Sequence, residues 1–490
     1  MNFKLFVGNC LEKLQDIPDN SIHCCVTSPP YWGLRDYQTA KWEGGDPDCD
    51  HKIGRFTTAV SAKQKSTLGS GEKQATEVCP KCGAVRIDDQ IGLEKTPQEF
   101  VSALIEVFRE VRRVLRSDGV CFVNLGDSYA SAWPCSRRSV IGNGSLENGK
   151  RENRAPRMPD GLKEKDLCGI PWRVAFALQD DGWWLRQDII WAKGVSGQDD
   201  LTDQVKEAAE KAGCKQDVVD AIVENLNLFH GNPMPASVKD RCSTSHEYFF
   251  LLTKSARYFY DQQAIIEECC SSPSDLRKMV EQKDRIDAKH FHVDPGAQAA
   301  ASSKTNIGNK RAVGNPDGRN RRSVWAVPTQ PFRGAHFAPF PTRLIMPAIK
   351  AGTSEKGCCP ECGAPWVRIV TREPSDWEIR KAAGEAMRHG LQGATACQAG
   401  GFKTPKVLGS DWKPGCSCDA GEPIPCTVLD PFFGAGTTAV VSYSLGRSCM
   451  GTELSPEYAK MCQERFEELV GIVGHLNNHL LKIVGPDDVG

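Results

Sequence analysis

The amino-acid sequence predicts an α/β fold with a layered sheet, and three observations carry this prediction. Short β-prone runs alternate with amphipathic segments along the chain, which is typical of strands covered by helices. The run TVLD at 427–430 leads into a glycine-rich turn that opens a helical segment. The buried-strand candidate IHCCVTS at 22–28 stops at two consecutive prolines.

The elements follow from local patterns taken in chain order. The first 35 residues predict strand, helix, strand and turn, since LFVGN is an apolar run and CLEKLQDIPDNS has helical spacing that breaks at Pro18. Residues 97–119 place apolar side chains on one helical face, and Gly119 serves as the stop signal. GVCFVNLGDS, WLRQDIIWAKG and YFFLLTKS predict strands, while IPWRVAFALQDDGW predicts a helix. The stretch from 427 onward predicts strand, turn, helix, strand and helix.

Length and composition restrict the class of protein. A chain of 490 residues is long enough for about two to three domains, or for one domain with large insertions. A net charge of −1 excludes a generally polycationic nucleic-acid coat but allows a local basic face. The sequence contains no run of about 20 apolar residues, so it predicts no membrane span. No signal peptide is recognisable. The expected location is therefore the cytoplasm, where 22 cysteines must be thiols or metal ligands.

The glycine-rich turn predicts a cofactor site. Gly434 and Gly436 follow Asp430 and allow a ligand to approach the backbone, and the helix that follows offers free N–H groups. About 20 residues further on, Glu453 ends the next strand, the position that binds ribose hydroxyls in dinucleotide folds. The third glycine of GxGxxG is missing. Acids at both strand ends suit a ligand with an amino group and ribose hydroxyls, which favours S-adenosylmethionine over NAD.

The turn Ser28-Pro29-Pro30-Tyr31 predicts a site for an amino group. Two prolines fix φ and remove two N–H donors, which leaves carbonyl groups free to accept hydrogen bonds. Ser28 adds a hydroxyl acceptor and Tyr31 an aromatic face, so the turn can hold an exocyclic NH₂ while the ring stacks on the base. Taken alone, a proline turn beside a core aromatic residue is the simpler interpretation.

Together the two turns resemble the amino-methylating DNA methyltransferases of the type II, N4-cytosine/N6-adenine family. TSPPYW at 27–32 looks like the catalytic motif and LDPFFGAGTT at 429–438 like the cofactor motif, in the order of the β subgroup. The resemblance implies a Rossmann-like S-adenosylmethionine-dependent methyltransferase sheet with circularly permuted motif order and one antiparallel edge strand. It also implies double-stranded DNA as partner and base flipping. NLGDSY, LRQDIIWAK, NPMPASVKDR and TSHEYFFLLTKS look like intermediate motifs.

The resemblance also implies roles for individual residues. The catalytic set is Ser28, Pro29, Pro30 and Tyr31. The cofactor-binding set is Asp430, Pro431, Phe432, Gly434, Gly436, Thr437, Thr438, Glu453, Phe340 and Pro341. Serine in the first catalytic position favours N4 of cytosine, and N6 of adenine is the alternative. Two other classes are a zinc-ribbon DNA-binding protein on an inactive core and an NAD-dependent enzyme. The intact turns argue against the first, and the missing phosphate site argues against the second.

Two cysteine clusters predict structural zinc sites. Each contains a Cys-Pro-x-Cys-Gly turn, in which two thiols lie on one chain reversal. A second pair of N or S ligands completes a tetrahedral set in each case. The predicted ligands are Cys49, His51, Cys79 and Cys82 in the first cluster and Cys359, Cys362, Cys416 and Cys418 in the second.

The predicted organisation is one methyltransferase core with insertions. The core comprises 1–37, which holds the catalytic motif, then 93–197, 231–261 and 323–351, and finally 425–475, which binds the cofactor; residues 476–490 are a tail. The insertions are a zinc-binding segment at 38–92, a helical segment at 198–230, a target-recognition region at 262–322 and a zinc ribbon at 352–424.

Residues 300–345 are strongly basic, since they include eight Lys and Arg residues and a single acidic residue, Asp317. This excess predicts a DNA-facing surface that includes Lys310, Arg311, Arg319, Arg321 and Arg322. The sequence leaves open whether a cognate restriction endonuclease exists and whether the host is a bacterium or a phage; nucleoid association is expected in either.

Overall fold

The computed structural model describes residues 1–33, 39–55, 72–74, 78–130, 161–193, 239–267, 319–330, 339–372, 407–419, 421–473 and 482–484. The predicted helical insertion at 198–230, together with Lys310 and Arg311, lies outside the described residues. The chain divides into two compact units. The first comprises Met1–Tyr258, Ser323–Ile349 and Thr427–Gly490, and the second Phe259–Arg322 and Lys350–Cys426. Among the described residues, no helix is both long and apolar enough to cross a bilayer.

The described residues form fifteen strands and six α-helices. The strands are β1 (Phe3–Val7), β2 (Ile22–Thr27), β3 (Lys41–Glu43), β4 (Lys52–Arg55), β5 (Glu72–Gln74), β6 (Val85–Ile87), β7 (Leu115–Leu125), β8 (Trp184–Ala192), β9 (His246–Thr253), β10 (Val324–Ala326), β11 (Val367–Arg372), β12 (Val407–Lys413), β13 (Thr427–Asp430), β14 (Ser448–Glu453) and β15 (Lys482–Val484). The helices are α1 (Cys10–Leu14), α2 (Pro97–Val114), α3 (Ile170–Asp180), α4 (Thr342–Gly352), α5 (Thr437–Ser444) and α6 (Pro456–Val473).

Nine strands of the first unit form one sheet in the order β10-β8-β9-β7-β2-β13-β14-β1-β15. All neighbouring pairs are parallel except the two pairs that β9 makes with β7 and β8. The predicted α/β class is confirmed. The expected position of the antiparallel strand is wrong, because β8 and β10 extend the sheet beyond β9 and place it inside.

The central helix α2 shows how the sequence specifies local structure. Thr96 accepts a hydrogen bond from the N–H of Glu99, whose side chain in turn accepts from the N–H of Thr96, and Pro97 occupies the first helical turn. The apolar stripe is buried as predicted, with Phe100, Leu104, Val107, Phe108 and Val111 in the core of the first unit. Burial of this stripe holds α2 against the sheet.

The predicted end of α2 at Gly119 is wrong. The helix ends at Val114, and β7 begins at once with Leu115 and passes through Gly119. Against β2, the register of β7 shifts between Leu115 and Val120, so that residues 116–119 form an irregular insertion within the strand. Gly119 therefore lies at an irregularity in the pairing of β7 with β2 and not at a helix terminus.

The order of strands brings the two sequence motifs to one edge of the sheet. β2 and β13 are neighbours and run parallel, with Cys24 opposite Val428 and Cys25 opposite Leu429. Because parallel neighbours end at the same edge, the proline turn after β2 and the glycine-rich turn after β13 leave the sheet side by side. In the second unit, β11 and β12 form an antiparallel pair.

Candidate active site

A buried carboxylate connects the two turns. Asp430, at the end of β13, is 1% exposed. Its Oδ1 accepts hydrogen bonds from the hydroxyl of Thr27 at 2.6 Å and from the N–H of Phe432 at 3.1 Å, and its Oδ2 accepts from the hydroxyl of Thr438 at 2.7 Å. Thr27 immediately precedes Ser28. Asp430 therefore joins the last residue of β2 to the glycine-rich turn and to the first turn of α5.

The glycine-rich turn is open on one side and supported on the other. Gly434 and Gly436 have φ values of +50° and +73°, which favour glycine. A Cβ at Gly434 would meet no atom within 4 Å, so this side of the turn is open. On the other side, Arg465 of α6 donates to the carbonyl of Ala435 at 2.9 Å and to the hydroxyl of Thr437 at 3.1 Å.

Glu453 also supports the turn at the end of β14. Its Oε2 accepts from the N–H of Gly434 at 2.8 Å and its Oε1 from the N–H of Ser455 at 2.9 Å. Burial raises the pKa of this carboxyl above its usual value. Each carboxylate oxygen keeps a further lone pair that can accept from a ligand hydroxyl.

These features fit S-adenosylmethionine. The N-cap of α5 is Gly436, which offers no side-chain hydrogen bond, so donors at the helix N-terminus remain available. Carboxylates end the two adjacent strands, and the turn between them is open at Gly434. A cationic ligand with ribose hydroxyls finds complementary groups in this set.

The proline turn is held from several sides. Pro29 is buried, whereas Ser28 and Tyr31 remain partly accessible. The N–H of Gly33 donates to the carbonyl of Gly92 at 2.8 Å, and Trp32 Nε1 donates to the carbonyl of Glu94 at 2.9 Å. The segment that follows the first cysteine cluster is thus attached directly to the proline turn.

Three residues that sequence reasoning did not single out form a polar network that includes Tyr31. The phenol of Tyr31 donates to Glu247 Oε2 at 2.6 Å and accepts from Asn124 Nδ2 at 2.7 Å. Asn124 Nδ2 also lies 2.8 Å from Glu247 Oε2 and 3.5 Å from Ser28 Oγ. Lys193 forms an ion pair with Glu247 Oε1. All three lie within stretches that resemble family motifs, and this resemblance is the signal that could have identified them. The structure places them at the same edge of the sheet as Ser28.

The structure also describes Phe340, Pro341 and three of the five predicted DNA-binding residues. Phe340 and Pro341 are buried immediately before α4, and their contribution to the cofactor site stays a prediction. In the second unit, Arg319 and Arg322 both donate to Glu267 Oε2, at 3.1 and 3.2 Å. Arg321 is half-buried, and burial lowers its pKa.

Both cysteine clusters assemble in the structure. In each, the four ligand atoms lie within 4.8 Å of one another. Cys49 Sγ is 3.8 Å from Cys79 Sγ, and Cys82 Sγ is 3.6 Å from His51 Nδ1. A tetrahedral zinc ion with ordinary bond lengths separates two sulfurs by about 3.8 Å and a sulfur from a nitrogen by about 3.6 Å. The first cluster thus has the dimensions of a zinc site.

The two Cys-Pro-x-Cys-Gly turns have the same backbone pattern. In the first, the N–H of Gly83 donates to the carbonyl of Cys79, and the N–H of Cys79 donates to Ala84, both at 2.8 Å. In the second, the N–H of Gly363 donates to the carbonyl of Cys359, and the N–H of Cys359 donates to the carbonyl of Ala364, both at 2.9 Å.

Four cysteines outside the clusters, Cys24, Cys25, Cys121 and Cys449, are fully buried strand residues, as predicted for apolar side chains.

The buried carboxyl of Asp430 makes stability depend on pH. Burial raises its pKa from 3.8 to about 7. Between these values the folded state holds a proton that the unfolded state has lost, so the stabilisation is present at low pH and disappears as pH rises to 7. Relative to Asp430→Asn, the wild-type free energy of unfolding should fall by about 2–3 kcal/mol from pH 5 to pH 8. Chemical denaturation of both proteins measures this difference, and a constant difference across that range would show that the carboxyl ionises normally.

Comparison with known proteins identifies the family. The family model for N6 and N4 DNA methylases matches residues 22–359 and 426–464, well over half of the chain. The type II methyltransferase M.Cfr9I of Citrobacter freundii is 30% identical over 469 residues, which cover 94% of this chain and 87% of that protein. M.SmaI of Serratia marcescens is 28% identical over 462 residues, which cover 94% of this chain and 90% of that protein. The solved structure of the PvuII cytosine-N4-specific DNA methyltransferase aligns with a TM-score of 0.40 at 13% identity, covering 96% of this chain and 91% of that chain. With its two motif turns side by side, the chain belongs to the N6/N4 DNA methylase family and is an S-adenosylmethionine-dependent type II DNA methyltransferase.

Proposed function

We propose that the enzyme methylates N4 of cytosine in double-stranded DNA and that the turn from Ser28 to Tyr31 holds the flipped base. The observation that carries this proposal is the hydrogen bond between Thr27 and Asp430. It fixes the start of the proline turn to the glycine-rich turn, so that an amino group on one turn faces a cofactor on the other. Positioning of two reactants in this way can supply much of the rate enhancement.

The residues of the proline turn bind and orient the base. Ser28 Oγ and the Pro29 carbonyl accept the two hydrogens of the amino group, which aims the nitrogen lone pair away from the turn. Tyr31 stacks on the extruded base. Pro30 has no N–H and leaves this side of the turn without a competing donor. When bound, S-adenosylmethionine supplies an electrophilic methyl group.

Residues around the glycine-rich turn hold the cofactor in this proposal. Gly434 and Gly436 let it approach the backbone, and Glu453 accepts from the ribose hydroxyls. Asp430 and Thr438 shape the turn through their mutual hydrogen bond. The remaining members of the set are Pro431, Phe432, Thr437, Phe340 and Pro341.

The choice of cytosine rests on Ser28. A neutral hydroxyl in the first position favours N4 of cytosine within the family, and N6 of adenine is the alternative. Incubating the protein with labelled S-adenosylmethionine and unmethylated plasmid DNA, followed by mass spectrometry of nucleosides, decides between them. We expect N4-methylcytosine, and roughly a 10- to 100-fold slower reaction for Ser28→Ala, since a hydrogen bond to the amino group is lost. Methyladenine as the product would overturn the assignment of the base.

The cysteine clusters complete the proposal with two structural zinc ions. Four protein ligands occupy each site, which leaves no open position for catalysis. The sulfur–sulfur and sulfur–nitrogen distances in the first cluster support zinc there, and the shared backbone pattern extends the argument to the second. Each ion would hold together a segment with few apolar residues.

Recognition of the target sequence is assigned to residues 262–322. Glu267 orients Arg319 and Arg322, whose side chains remain 39% and 66% exposed. Exposed guanidinium groups suit phosphates and guanine edges. Arg321 belongs to the same proposed surface, and the contribution of Lys310 and Arg311, which lie outside the described residues, stays a prediction. The bacterial relatives are named type II methyltransferases, which supports a cognate restriction endonuclease as partner. Association with the nucleoid stays a prediction.

A further inference from the structure

We infer that Glu247, held by Lys193, is a positioning residue that fixes the ring of Tyr31 for stacking on the target base. This inference deepens the proposed function, because it rests on the role of Tyr31 stated above. Glu247 does not touch the base in this arrangement. It acts through the phenol hydroxyl.

The hydrogen bonds of Glu247 use both carboxylate oxygens. Oε2 accepts from the phenol of Tyr31 at 2.6 Å and from Asn124 at 2.8 Å, while Oε1 pairs with Lys193. Glu247 is 9% exposed and Asn124 is 1% exposed. Burial of an unpaired carboxylate destabilises a folded protein. The ion pair with Lys193 offsets this desolvation cost for Glu247.

The phenol of Tyr31 is both donor and acceptor in this network. It donates to Glu247 and accepts from Asn124, and the two bonds together fix where the tip of the ring lies. A phenylalanine would fill the same space and lack both bonds. The hydroxyl therefore holds the ring in place, which is a role separate from stacking on the base.

Gly126 limits the ring from the side. A Cβ at Gly126 would lie 2.6 Å from Tyr31 Cε2, closer than real Cβ atoms approach, and 3.1 Å from Cδ2, which is a tight contact. The backbone that follows β7 therefore packs against this edge of the ring. With the tip fixed by Glu247 and the side fixed by Gly126, the ring has little freedom to swing away from a base.

The network also explains why polar residues occur at these strand ends. Asn124 lies near the end of β7, Lys193 follows β8, and Glu247 is near the start of the antiparallel β9. Because β9 runs against its neighbours, its first residues lie at the edge where β7 and β8 end. Three strands thus bring one network to the edge at which β2 delivers Tyr31.

A double-mutant cycle with Tyr31→Phe and Glu247→Gln tests the inference. The rate of methyl transfer to unmethylated plasmid DNA at saturating S-adenosylmethionine should fall by roughly 10- to 100-fold in each single variant. The double variant should be slower than the worse single variant by no more than about threefold, since both changes act on one bond: Phe removes its donor, and Gln replaces its charged acceptor with a weaker neutral amide. The KM for S-adenosylmethionine should stay unchanged, because the cofactor turn follows other strands.

Asp181→Asn is the matched control. It removes a carboxylate that pairs with Arg109 at 2.6 Å, at the opposite edge of the sheet, and it should leave the rate unchanged. Multiplying effects in the double variant would show that Glu247 acts independently of the phenol and would overturn the inference. A wild-type rate in Tyr31→Phe, which removes a single oxygen and should fold normally, would also overturn it. Formation of methyladenine by the wild-type protein refutes only the base assignment, since the same network would then orient an adenine.

Discussion

The substitution Gly436→Ala should reduce the affinity for S-adenosylmethionine by about 100-fold, because strain and overlap add at this position. Gly436 has a φ of +73°, a conformation that alanine adopts at a cost. Its Cβ would also lie 2.2 Å from Cys462 Sγ of α6. Either α6 or the glycine-rich turn must move, and this turn is the proposed cofactor site. Isothermal titration with S-adenosylmethionine measures the effect.

Two further variants separate the sources of this loss. Gly434→Ala meets no atom within 4 Å and has a φ of +50°, so it should show strain without overlap and lose about tenfold in affinity. Adding Cys462→Ala to Gly436→Ala removes the sulfur and should restore part of the affinity. Wild-type affinity in Gly436→Ala would contradict the close approach of α6 to the turn.

The sequence allowed prediction of those parts of the site that are continuous in the chain. The turn after β2 and the turn after β13 each carry their chemistry within about ten consecutive residues, so residue order alone revealed them. Asn124, Lys193 and Glu247 are contributed by three separate strands, and only the order and direction of these strands bring them together. Sequence patterns do not contain that information, since each of these residues alone is an ordinary polar residue at a strand end.

The contacts of Asp430 likewise could not be predicted from the sequence. Its position at the end of a strand predicted a residue that contacts the cofactor. In the structure both of its oxygens accept hydrogen bonds from Thr27, Phe432 and Thr438. The bond to Thr27 spans 403 positions in the sequence and depends on β2 and β13 being neighbours. Pairing of strands from opposite ends of the chain is a tertiary property, which local propensity does not reveal.

The segment that follows the first cysteine cluster contacts the proline turn. The chain leaves the first cluster at Cys82 and, after β6, reaches Gly92 and Glu94, which accept hydrogen bonds from the turn at Gly33 and Trp32. Trp32 is 9% exposed and packs in the core of the first unit. Loss of a metal ion from the first cluster should therefore loosen the support of the proline turn.

Removal of zinc should have the largest effect on stability, because a structural zinc ion contributes roughly 10 kcal/mol or more to a small metal-stapled segment. Elemental analysis should find two zinc ions per chain, one for each cluster. Cys82→Ser should remove one ion, lower the melting temperature and slow methyl transfer, whereas Cys362→Ser should remove the other. Cys242→Ser, at an exposed cysteine outside both clusters, is the control and should change none of these quantities. Protein that folds and methylates DNA with no bound zinc would refute both sites, and an unchanged rate after loss of the first ion would show that the proline turn is held without it.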